Sequence, residues 1–410
     1  MSSHCNPSVV DDGLVFLYDV DDIQSYKGEP VVNIWSEQNG GDVNLRGSWQ
    51  KPKAYNGEIT ESVYTGGTWS GNRIWEVLHT AGTSGYGDYE SWRLCVNQPL
   101  AGSYSSTRRV AIKICILEGS ISDLAIHSGG GNASHNSSYF TAIPESQVPR
   151  DCPIKSGWYQ FLSPANWTST TVGHCVGLGF ISYNRVKILT AEPMYYPSDH
   201  LIPFSGTERT ATQGLIDRTG NETIDLSNVS FDSNADITFD GTDDFIPLVD
   251  NPQNGENSVS WEFITKFDLV HDNETSTYRQ LYIQESSVWI GQYYDYIGID
   301  LKKDNNAWFD GNGGRVTSSK IGPVNSGEYY HVVFTWDGTN VKGYLNSELG
   351  FTTAISGLTG IRNGVSPRRI GRRSGNPLIG EMPIVKLYNK ALTAAEVLQN
   401  FNATKSRFGL

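Results

Sequence analysis

The sequence has 410 residues, enough for two or three domains with cores of their own. Its 31 Lys and Arg against 44 Asp and Glu give a formal charge of −13, which argues against nucleic acid as the main partner, because phosphate binding needs a net basic face. No stretch approaches the roughly 20 apolar residues that cross a bilayer, so we expect no membrane insertion. The 43 Gly, 17 Pro, 11 Trp and 21 Tyr are typical of β-sandwiches joined by tight turns.

Residues 1–40 form a distinct opening segment. The start, MSSHCNPSVVDDG, lacks a basic n-region and an apolar h-region, so we expect no secretory signal. Residues 14–18 are an apolar strand candidate, followed by turn-rich residues 19–22. The segment is too short to bury a core alone. We therefore expect it to pair with another domain or subunit and to act as an N-terminal anchor.

Residues 41–195 alternate short apolar runs with Gly-, Ser- and Asn-rich loops, which predicts a first β-sandwich of the jelly-roll, carbohydrate-binding-like type. Trp69 and Trp75 are candidates for stacking on sugar rings, although buried core positions are the more frequent use of strand aromatics. Residues 196–214, rich in Pro, Gly, Ser and Thr, predict a linker.

The five cysteines show no C-x-x-C spacing, and four of them fall between positions 95 and 175. These positions allow two disulfides within one domain, but buried free thiols are the favoured interpretation. The residues are Cys5, Cys95, Cys115, Cys152 and Cys175.

A second β module is predicted over residues 215–410. Residues 331–336 place Val332, Phe334 and Trp336 on one face and lead into Asp337-Gly338, which predicts a hairpin with residues 341–345. The fold class is therefore all-β, with two jelly-roll β-sandwich domains, a short N-terminal segment and one short C-terminal helix.

That helix has a clear start signal. The Thr393 hydroxyl can accept from the Glu396 amide while the Glu396 carboxylate reaches back, a capping box, and Leu392 can pack on Val397 as a hydrophobic staple. Spacing predicts that the helix packs through a stripe of three residues, which are Ala394, Leu398 and Phe401.

Three motifs of the second module resemble the laminin-G-like, concanavalin A-like jelly-roll family. They are YHVVFTWDG at 330–338, the GE at 380–381 followed by VKLYNKALT at 385–393, and FDGTDDF at 239–245. Occurring in this order, they extend the resemblance over residues 215–402.

The ends of the chain and the connector resemble virion proteins of tailed bacteriophages. The similar segments are 12–15, 25–30, 203–209 and 401–410. The resemblance implies a virion structural protein, assembled in the host cytoplasm, exposed on the particle and partnered by other virion proteins. It implies adhesion to host-surface polysaccharide, as a homo-oligomer because virion parts are symmetric. The alternatives are an architectural decoration, neck or fibre-joint protein without a ligand and, less favoured, a glycan-degrading enzyme.

Catalysis is not expected. Glycan-hydrolysing jelly-rolls need two carboxylates on one strand face, and no Glu-x-Asp-x-x-Glu string occurs. Glu262, Glu285 and Glu381 have no evident partner at strand spacing, and there is no G-x-S-x-G elbow.

Calcium is a cofactor that the family resemblance implies, since laminin-G-like relatives often hold one Ca²⁺ with loop carboxylates. Two acidic groups are candidates, but turn formation by Asp-Gly and Asn-Gly elements is the favoured interpretation of both. The candidate ligands are Asp240, Asp243, Asp244, Asp304 and Asp310.

Two further clusters are candidate binding residues. Aromatic side chains at Trp289, Tyr293, Tyr294 and Tyr296 predict a glycan site, with burial as the alternative. A basic run in an otherwise acidic chain predicts an assembly contact with an acidic neighbour, with a solvated edge strand as the equal alternative. Its residues are Arg368, Arg369, Arg372 and Arg373.

Overall fold

The structure is a computed structural model, and it describes most of the chain. The described residues are 8–31, 35–36, 59–80, 90–95, 109–128, 136–164, 175–180, 184–196, 200–205, 208–231, 237–249, 252–268, 278–284, 287–303, 319–361, 368–372 and 377–410. Within them, no helix is long and apolar enough to cross a membrane.

The chain forms two compact units that do not follow one another in sequence. Met1–Pro30 and Thr210–Leu410 make one, which we call the jelly-roll unit, and Val31–Arg209 makes the other, which we call the inserted unit. This division differs from the expected order of a separate segment 1–40, a sandwich 41–195, a linker 196–214 and a module 215–410. Residues before position 31 belong with the C-terminal half because their strand pairing is long-range.

Antiparallel strands build the jelly-roll unit. Its strands are β1 Leu14–Asp19, β12 Ser230–Phe231, β13 Ile237–Asp240, β14 Ile246–Leu248, β15 Val259–Phe267, β16 Tyr278–Gln284, β17 Val288–Tyr293, β18 Tyr296–Leu301, β19 Lys320–Ile321, β20 Tyr329–Trp336, β21 Asn340–Leu345, β22 Glu348–Ala354, β23 Arg368–Ile370 and β24 Ile379–Tyr388.

These strands form two sheets. The eight-stranded sheet has the order β12-β13-β24-β15-β20-β21-β22, with β1 also paired to β24. The six-stranded sheet has the order β14-β23-β16-β17-β18-β19. Alternate residues point inward because side chains of a strand alternate between its faces, so Trp261, Phe263 and Phe334 of one sheet meet Tyr282 and Ile290 of the other in a single core. The Asp337-Gly338 turn joins β20 to β21, as predicted.

The N-terminal strand completes the eight-stranded sheet. Strand β1 pairs with β24, with Leu17 opposite Lys386 and Tyr18 opposite Val385. Phe16 and Tyr18 are fully buried in the core. The sequence predicted pairing with another domain or subunit, whereas β1 pairs with a strand of its own unit that lies more than 360 residues further along the chain.

Helix α1, Ala394–Phe408, closes the unit. Its capping box is confirmed: the Thr393 hydroxyl accepts from the Glu396 amide, and the Glu396 carboxylate accepts from the Thr393 amide at 2.8 Å. Leu392 and Val397 share one buried cluster, as the staple requires.

The predicted packing stripe of α1 was wrong. Ala394 and Leu398 are exposed, and Phe401 is only half-buried. The buried residues are instead Val397, Asn400 and Thr404. Apolar spacing missed this face because the face is partly polar. The side-chain amide of Asn400 donates to Glu262 of the sheet below, and the Thr404 hydroxyl donates to the carbonyl of Asn400 within the helix.

The inserted unit is also antiparallel. Its strands are β2 Trp35–Ser36, β3 Ile59–Val63, β4 Ile74–His79, β5 Glu90–Cys95, β6 Arg109–Glu118, β7 Leu124–Ser128, β8 Phe140–Ala142, β9 Trp158–Leu162, β10 Cys175–Phe180 and β11 Val186–Tyr196, and its 3₁₀ helices are Ile121–Asp123, Ser137–Tyr139 and Glu145–Gln147.

A seven-stranded sheet, with the order β3-β4-β11-β6-β9-β8 and β2 on β11, faces a three-stranded sheet with the order β5-β10-β7. Their shared core contains Val77, Ile112, Leu124 and Phe180. On the opposite face of the larger sheet, Cys115 and Cys152 are buried free thiols, as favoured from the sequence for these two cysteines. Burial and the neighbouring Cys152 raise the pKa of Cys115 to about 11, so its thiol is inert near neutral pH.

The inserted unit is closed at its neck. Val31 donates from its amide to the carbonyl of Arg209 at 2.8 Å, and Arg209 donates back to Val31 at 2.9 Å. Just outside it, in the jelly-roll unit, Lys27 donates to the carbonyl of Gly214 at 2.8 Å. The chain segments that lead into and out of the insertion are therefore hydrogen-bonded to each other.

Candidate functional site

The hairpin between β17 and β18 brings three tyrosines together on the outer face of the six-stranded sheet. Tyr293 and Tyr296 are directly opposite in the pairing register, so they point to the same face. Tyr294 lies in the two-residue connection and adopts a left-handed backbone with φ of 55°. That conformation turns its ring back onto the pair, and we call the three residues the tyrosine cluster.

The rings are in mutual contact. The ring centroid of Tyr293 lies 4.3 Å from that of Tyr294 and 5.5 Å from that of Tyr296, in edge-on geometry. The centroids of Tyr294 and Tyr296 are 6.4 Å apart. Tyr293 is buried, whereas Tyr294 and Tyr296 are half-buried and offer ring surface to solvent. Three of the predicted glycan-site residues are thus brought together.

A lysine that the sequence analysis missed completes this surface. Nζ of the exposed Lys320, on β19, lies 4.0 Å from the ring centroid of Tyr296, a cation–π contact. Lys320 is opposite Gly298 of β18 in the register, so it stands on the face of the tyrosine cluster. Its position comes from the pairing of β19 with β18, and nothing in the local sequence around residue 320 signals it.

Trp289 does not share this exposure. Its side chain is on the same face but only 2% exposed, and a Cβ built at Gly291 would lie 3.0 Å from the indole ring. The tryptophan is therefore packed down over the strand, which matches the alternative interpretation as a core aromatic.

Trp69 and Trp75 are not brought together. Trp69 is 3% exposed and packs 4.6 Å from the ring of Trp158, in the cluster on one face of the larger sheet. Trp75 packs at the edge of the core on the other face, with the guanidinium of Arg73 5.3 Å from its ring. The two residues therefore form no joint sugar-stacking surface.

At the end of β13, the last strand residue Asp240 converges with Asp243 and Asp244, with one ligand atom each within 4.8 Å of the others. Asp244 accepts from the Asp240 amide at 2.7 Å and from the Ser230 hydroxyl at 3.0 Å, and Asp240 accepts from the Thr242 amide at 2.7 Å. Burial and the charge of Asp240 raise the pKa of Asp244. These hydrogen bonds stabilise a turn through its own carboxylates, which is the interpretation favoured from the sequence. The three carboxylates supply only part of the set of oxygen ligands that Ca²⁺ prefers.

The arginines of the basic run have different surroundings. Arg368 is 4% exposed and donates to Glu222 at 2.5 Å inside the sandwich, a position that does not fit contact with another protein. It faces inward because it is opposite Gln284 and Leu248 in the register, one residue out of phase with Arg369. Arg369 and Arg372 are half-buried at the sheet edge. Asp304, Asp310 and Arg373 lie outside the described residues.

A buried polar network under α1 was also missed by sequence reasoning. Glu262 of β15 accepts from Lys386 at 2.7 Å and from the amide of Asn400 at 2.6 Å, and its other close partner is His331, with Nε2 at 3.0 Å. Burial alone would raise the pKa of Glu262, but the Lys386 charge and the His331 hydrogen bond outweigh it and hold the pKa at about 2. The one local signal is a polar Asn400 beside Val397 on the inner side of the helix.

The structure shows the surroundings of two of the three glutamates that were considered for catalysis. Glu262 is sealed in this network, and Glu381 is bound by Lys266 and the Tyr329 hydroxyl on the outer face of the same sheet. Neither belongs to the six-stranded sheet that carries the tyrosine cluster. Glu285 lies outside the described residues.

Comparison with known proteins agrees with this architecture. Residues 240–398 match a family model described as the concanavalin A-like lectin/glucanases superfamily. No curated protein matches the chain.

Solved structures that resemble parts of the chain do so at low sequence identity. The receptor binding domain of botulinum neurotoxin D is 15% identical over 48% of this chain and 51% of that one, with a TM-score of 0.36. Domain 4 of AbnA, a GH43 extracellular arabinanase from Geobacillus stearothermophilus, in complex with arabinotriose, is 18% identical over 47% of this chain and 92% of that one, with a TM-score of 0.33.

The match with each neurotoxin chain spans about half of that chain's length. The family match and the two antiparallel sheets together give residues 240–398 the jelly-roll fold of the concanavalin A-like lectin/glucanase superfamily.

Proposed function

We propose that the protein binds host-surface glycans through the tyrosine cluster, as an exposed structural component of a tailed-bacteriophage virion. The observation that carries the binding site is the contact of Tyr293, Tyr294 and Tyr296 on one sheet face, with Lys320 over the ring of Tyr296. The virion role rests on the sequence resemblance of the segments near both ends.

The chemistry of the cluster suits a sugar. The apolar face of a pyranose packs on an exposed aromatic ring, while tyrosine hydroxyls and a lysine ammonium hydrogen-bond to its hydroxyl groups. A site with two half-buried rings gives weak binding per copy. Many copies on one particle would convert weak contacts into firm attachment, which also favours a homo-oligomer.

We propose binding without hydrolysis. A glycosidase of this kind places two carboxyl groups about 5–9.5 Å apart beside the scissile bond. The described acids Glu262 and Glu381 are engaged in ion pairs on the other sheet, which supports a role in folding. The superfamily name covers both lectins and glucanases, so the fold does not choose between them.

The test of the glycan site uses an array of host-envelope polysaccharides and three variants. Tyr294→Ala, Tyr296→Ala and Lys320→Gln should each weaken binding about tenfold while the thermal unfolding midpoint stays within a few degrees, because the side chains are partly solvent-exposed. Tyr329→Ala is the matched control, since Tyr329 is a half-buried tyrosine with Lys266 5.4 Å from its ring on the other sheet. Binding that survives all three site variants would overturn the site.

The virion role is tested by mass spectrometry of purified particles from the genome that encodes the chain. Absence of the protein from particles overturns the role. Presence on particles, together with failure to bind any host envelope preparation, would instead favour the architectural alternative. Release of reducing sugar from host polysaccharide would overturn the proposal that the protein is not an enzyme.

A further inference from the structure

Two arginines at the edge of the six-stranded sheet share one aromatic side chain. The guanidinium carbon of Arg369 lies 5.0 Å, and that of Arg372 5.9 Å, from the ring centroid of Phe245. Phe245 directly precedes the edge strand β14, and Pro247 of that strand is opposite Arg369. The ring and both cations therefore lie together at one end of the outer sheet face, and we call the three residues the Arg-Phe-Arg clamp.

The clamp is held in place by the backbone. Gly371, between the last residue of β23 and Arg372, has a φ of +88°, which redirects the chain, and it packs against the ring of Phe239. Arg372 then donates from Nη1 to the carbonyl of Asp243 at 2.8 Å. Phe245 donates from its amide to the carbonyl of Asn228 at 2.8 Å. These contacts hold Arg372 and the backbone of Phe245 in place.

Within the described part of the chain, the positive charge of the clamp is not neutralised by an ion pair. Among the residues that the structure describes, neither Arg369 nor Arg372 has a carboxylate at salt-bridge distance, whereas the adjacent Arg368 is paired with Glu222. Nε of Arg369 is buried and has no acceptor among the described residues. The two guanidinium groups beside one ring repel each other, and a bound anion would reduce this repulsion. The pair is unusual in a protein whose net charge is −13.

We infer that the clamp binds the carboxylate of an acidic glycan, that is, a polysaccharide built from uronic or similar sugar acids. A guanidinium recognises a carboxylate through two parallel hydrogen bonds, and the Phe245 ring offers an apolar surface to the sugar that carries it. This inference rests on the proposed function and names its ligand class.

A glycan fits better than an acidic protein because the clamp shares its face with the tyrosine cluster. Arg369 is opposite Ile283, which is opposite Trp289, and Trp289 stands on the same face of β17 as Tyr293. One sheet face thus carries Arg369 and Arg372 near one edge and Lys320 at the other, each beside an aromatic ring. A repeating acidic polymer offers the same group to both places.

The test measures binding of polygalacturonate and of its fully methyl-esterified form, which has the same backbone but no free carboxylates. We expect the acid form to bind and the ester to bind at least tenfold more weakly. Arg369→Gln and Arg372→Gln should each weaken binding of the acid form about tenfold at low salt, and added salt should reduce the difference. Arg218→Gln is the control, because it removes one surface charge from the same unit and leaves the clamp intact.

Arg369→Lys with Arg372→Lys separates a shaped site from simple charge attraction. Lysine keeps the charge but not the planar fork, so we expect binding to fall with these variants too. Equal binding of the ester, unchanged binding by the glutamine variants, or full retention by the lysine variants would overturn the inference. Equal competition by polyglutamate would reassign the clamp to an acidic protein partner and overturn the glycan assignment.

Different results would overturn the inference about the clamp and the proposed glycan site at the tyrosine cluster. Array binding that depends on Tyr294 and Tyr296 but not on the arginines overturns only the clamp. Polygalacturonate binding that depends on the arginines but not on the tyrosines overturns only the tyrosine site. Circular dichroism and thermal unfolding of every variant exclude misfolding as the cause of lost binding.

Discussion

Arg407, in the last turn of α1, donates two parallel hydrogen bonds to the carboxylate of Asp19 at the end of β1. Nη1 donates to Oδ2 at 2.7 Å and Nη2 donates to Oδ1 at 2.6 Å. Asp21 accepts a third bond from Nη2 at 2.7 Å, and these contacts raise the pKa of Arg407 further. The pair joins residues 388 positions apart, and so ties the N-terminal strand to the C-terminal helix.

The first prediction concerns this pair. Arg407→Ala should lower the free energy of unfolding of the jelly-roll unit by about 1 kcal/mol, because the pair is bidentate but partly solvent-exposed. Urea unfolding followed by tryptophan fluorescence measures the change. Arg185→Ala, which breaks a more exposed single contact with Glu118, should have an effect near zero. Equal effects of the two variants would contradict the special role of Arg407.

The second prediction concerns pH. The pKa of Glu262 is about 2 in the folded protein, below its ordinary value of 4.5. A carboxyl with a lowered pKa contributes stability that is present above about pH 4.5 and is lost as pH falls toward 2. Unfolding free energies measured between pH 7 and pH 2 should therefore decline in this window. Glu262→Gln should remove that component of the decline.

The same variant tests the ion pair at neutral pH. Glu262→Gln leaves the Lys386 ammonium buried without its counter-charge and should cost about 3–5 kcal/mol. The double variant Glu262→Gln with Lys386→Met removes both charges and should recover part of this loss. A single variant as stable as the parent protein would show that the network contributes nothing to the attachment of α1.

The third prediction separates backbone strain from steric overlap. Gly371 and Gly220 both have left-handed φ values, +88° and +75°. A Cβ at Gly371 would lie 2.2 Å from the Phe239 ring, whereas a Cβ at Gly220 would meet nothing within 4 Å. Gly220→Ala should cost about 1 kcal/mol from strain alone, and Gly371→Ala about 1–3 kcal/mol more. Thermal unfolding of both variants measures the difference, and equal losses would rule out the overlap.

The fourth prediction concerns the insertion. A chain with Pro30 joined to Thr210 by a short Gly-Ser turn should fold cooperatively, because all strands of the jelly-roll unit are retained and its two chain breaks are adjacent. Differential scanning calorimetry should give one transition. Phe16→Ala in the same chain is the control and should destabilise it by about 3–5 kcal/mol, since Phe16 is fully buried. A product without a cooperative transition would show that the unit depends on the insertion.

Local signals in the sequence predicted local structure well. The Asp337-Gly338 turn between alternating strands and the Thr393 capping box were both confirmed, because each depends on residues only a few positions apart. The meeting of Tyr293, Tyr294 and Tyr296 was accessible for the same reason, since one hairpin carries all three.

Long-range pairing was not accessible. Nothing near Phe16 indicates that its strand completes a sheet with β24, so the sequence predicted only that the segment pairs with another domain or subunit and did not identify the partner strand. Lys320 joins Tyr296, and Phe245 joins Arg369, only through sheet register. The burial of a partly polar face of α1 was also not predictable, because it depends on the hydrogen bond that Asn400 donates to Glu262 of the sheet.

The neck between Val31 and Arg209 has a mechanical consequence. When tension is applied between β1 and α1, the two hydrogen bonds between Val31 and Arg209 join the backbone on either side of the insertion, so that the insertion is a loop closed at its base. The load then passes through β1, β24 and the Arg407–Asp19 contact, and 179 residues of chain stay out of its path while those bonds hold. A pulling force on the jelly-roll unit would therefore reach the insertion only after those bonds had broken.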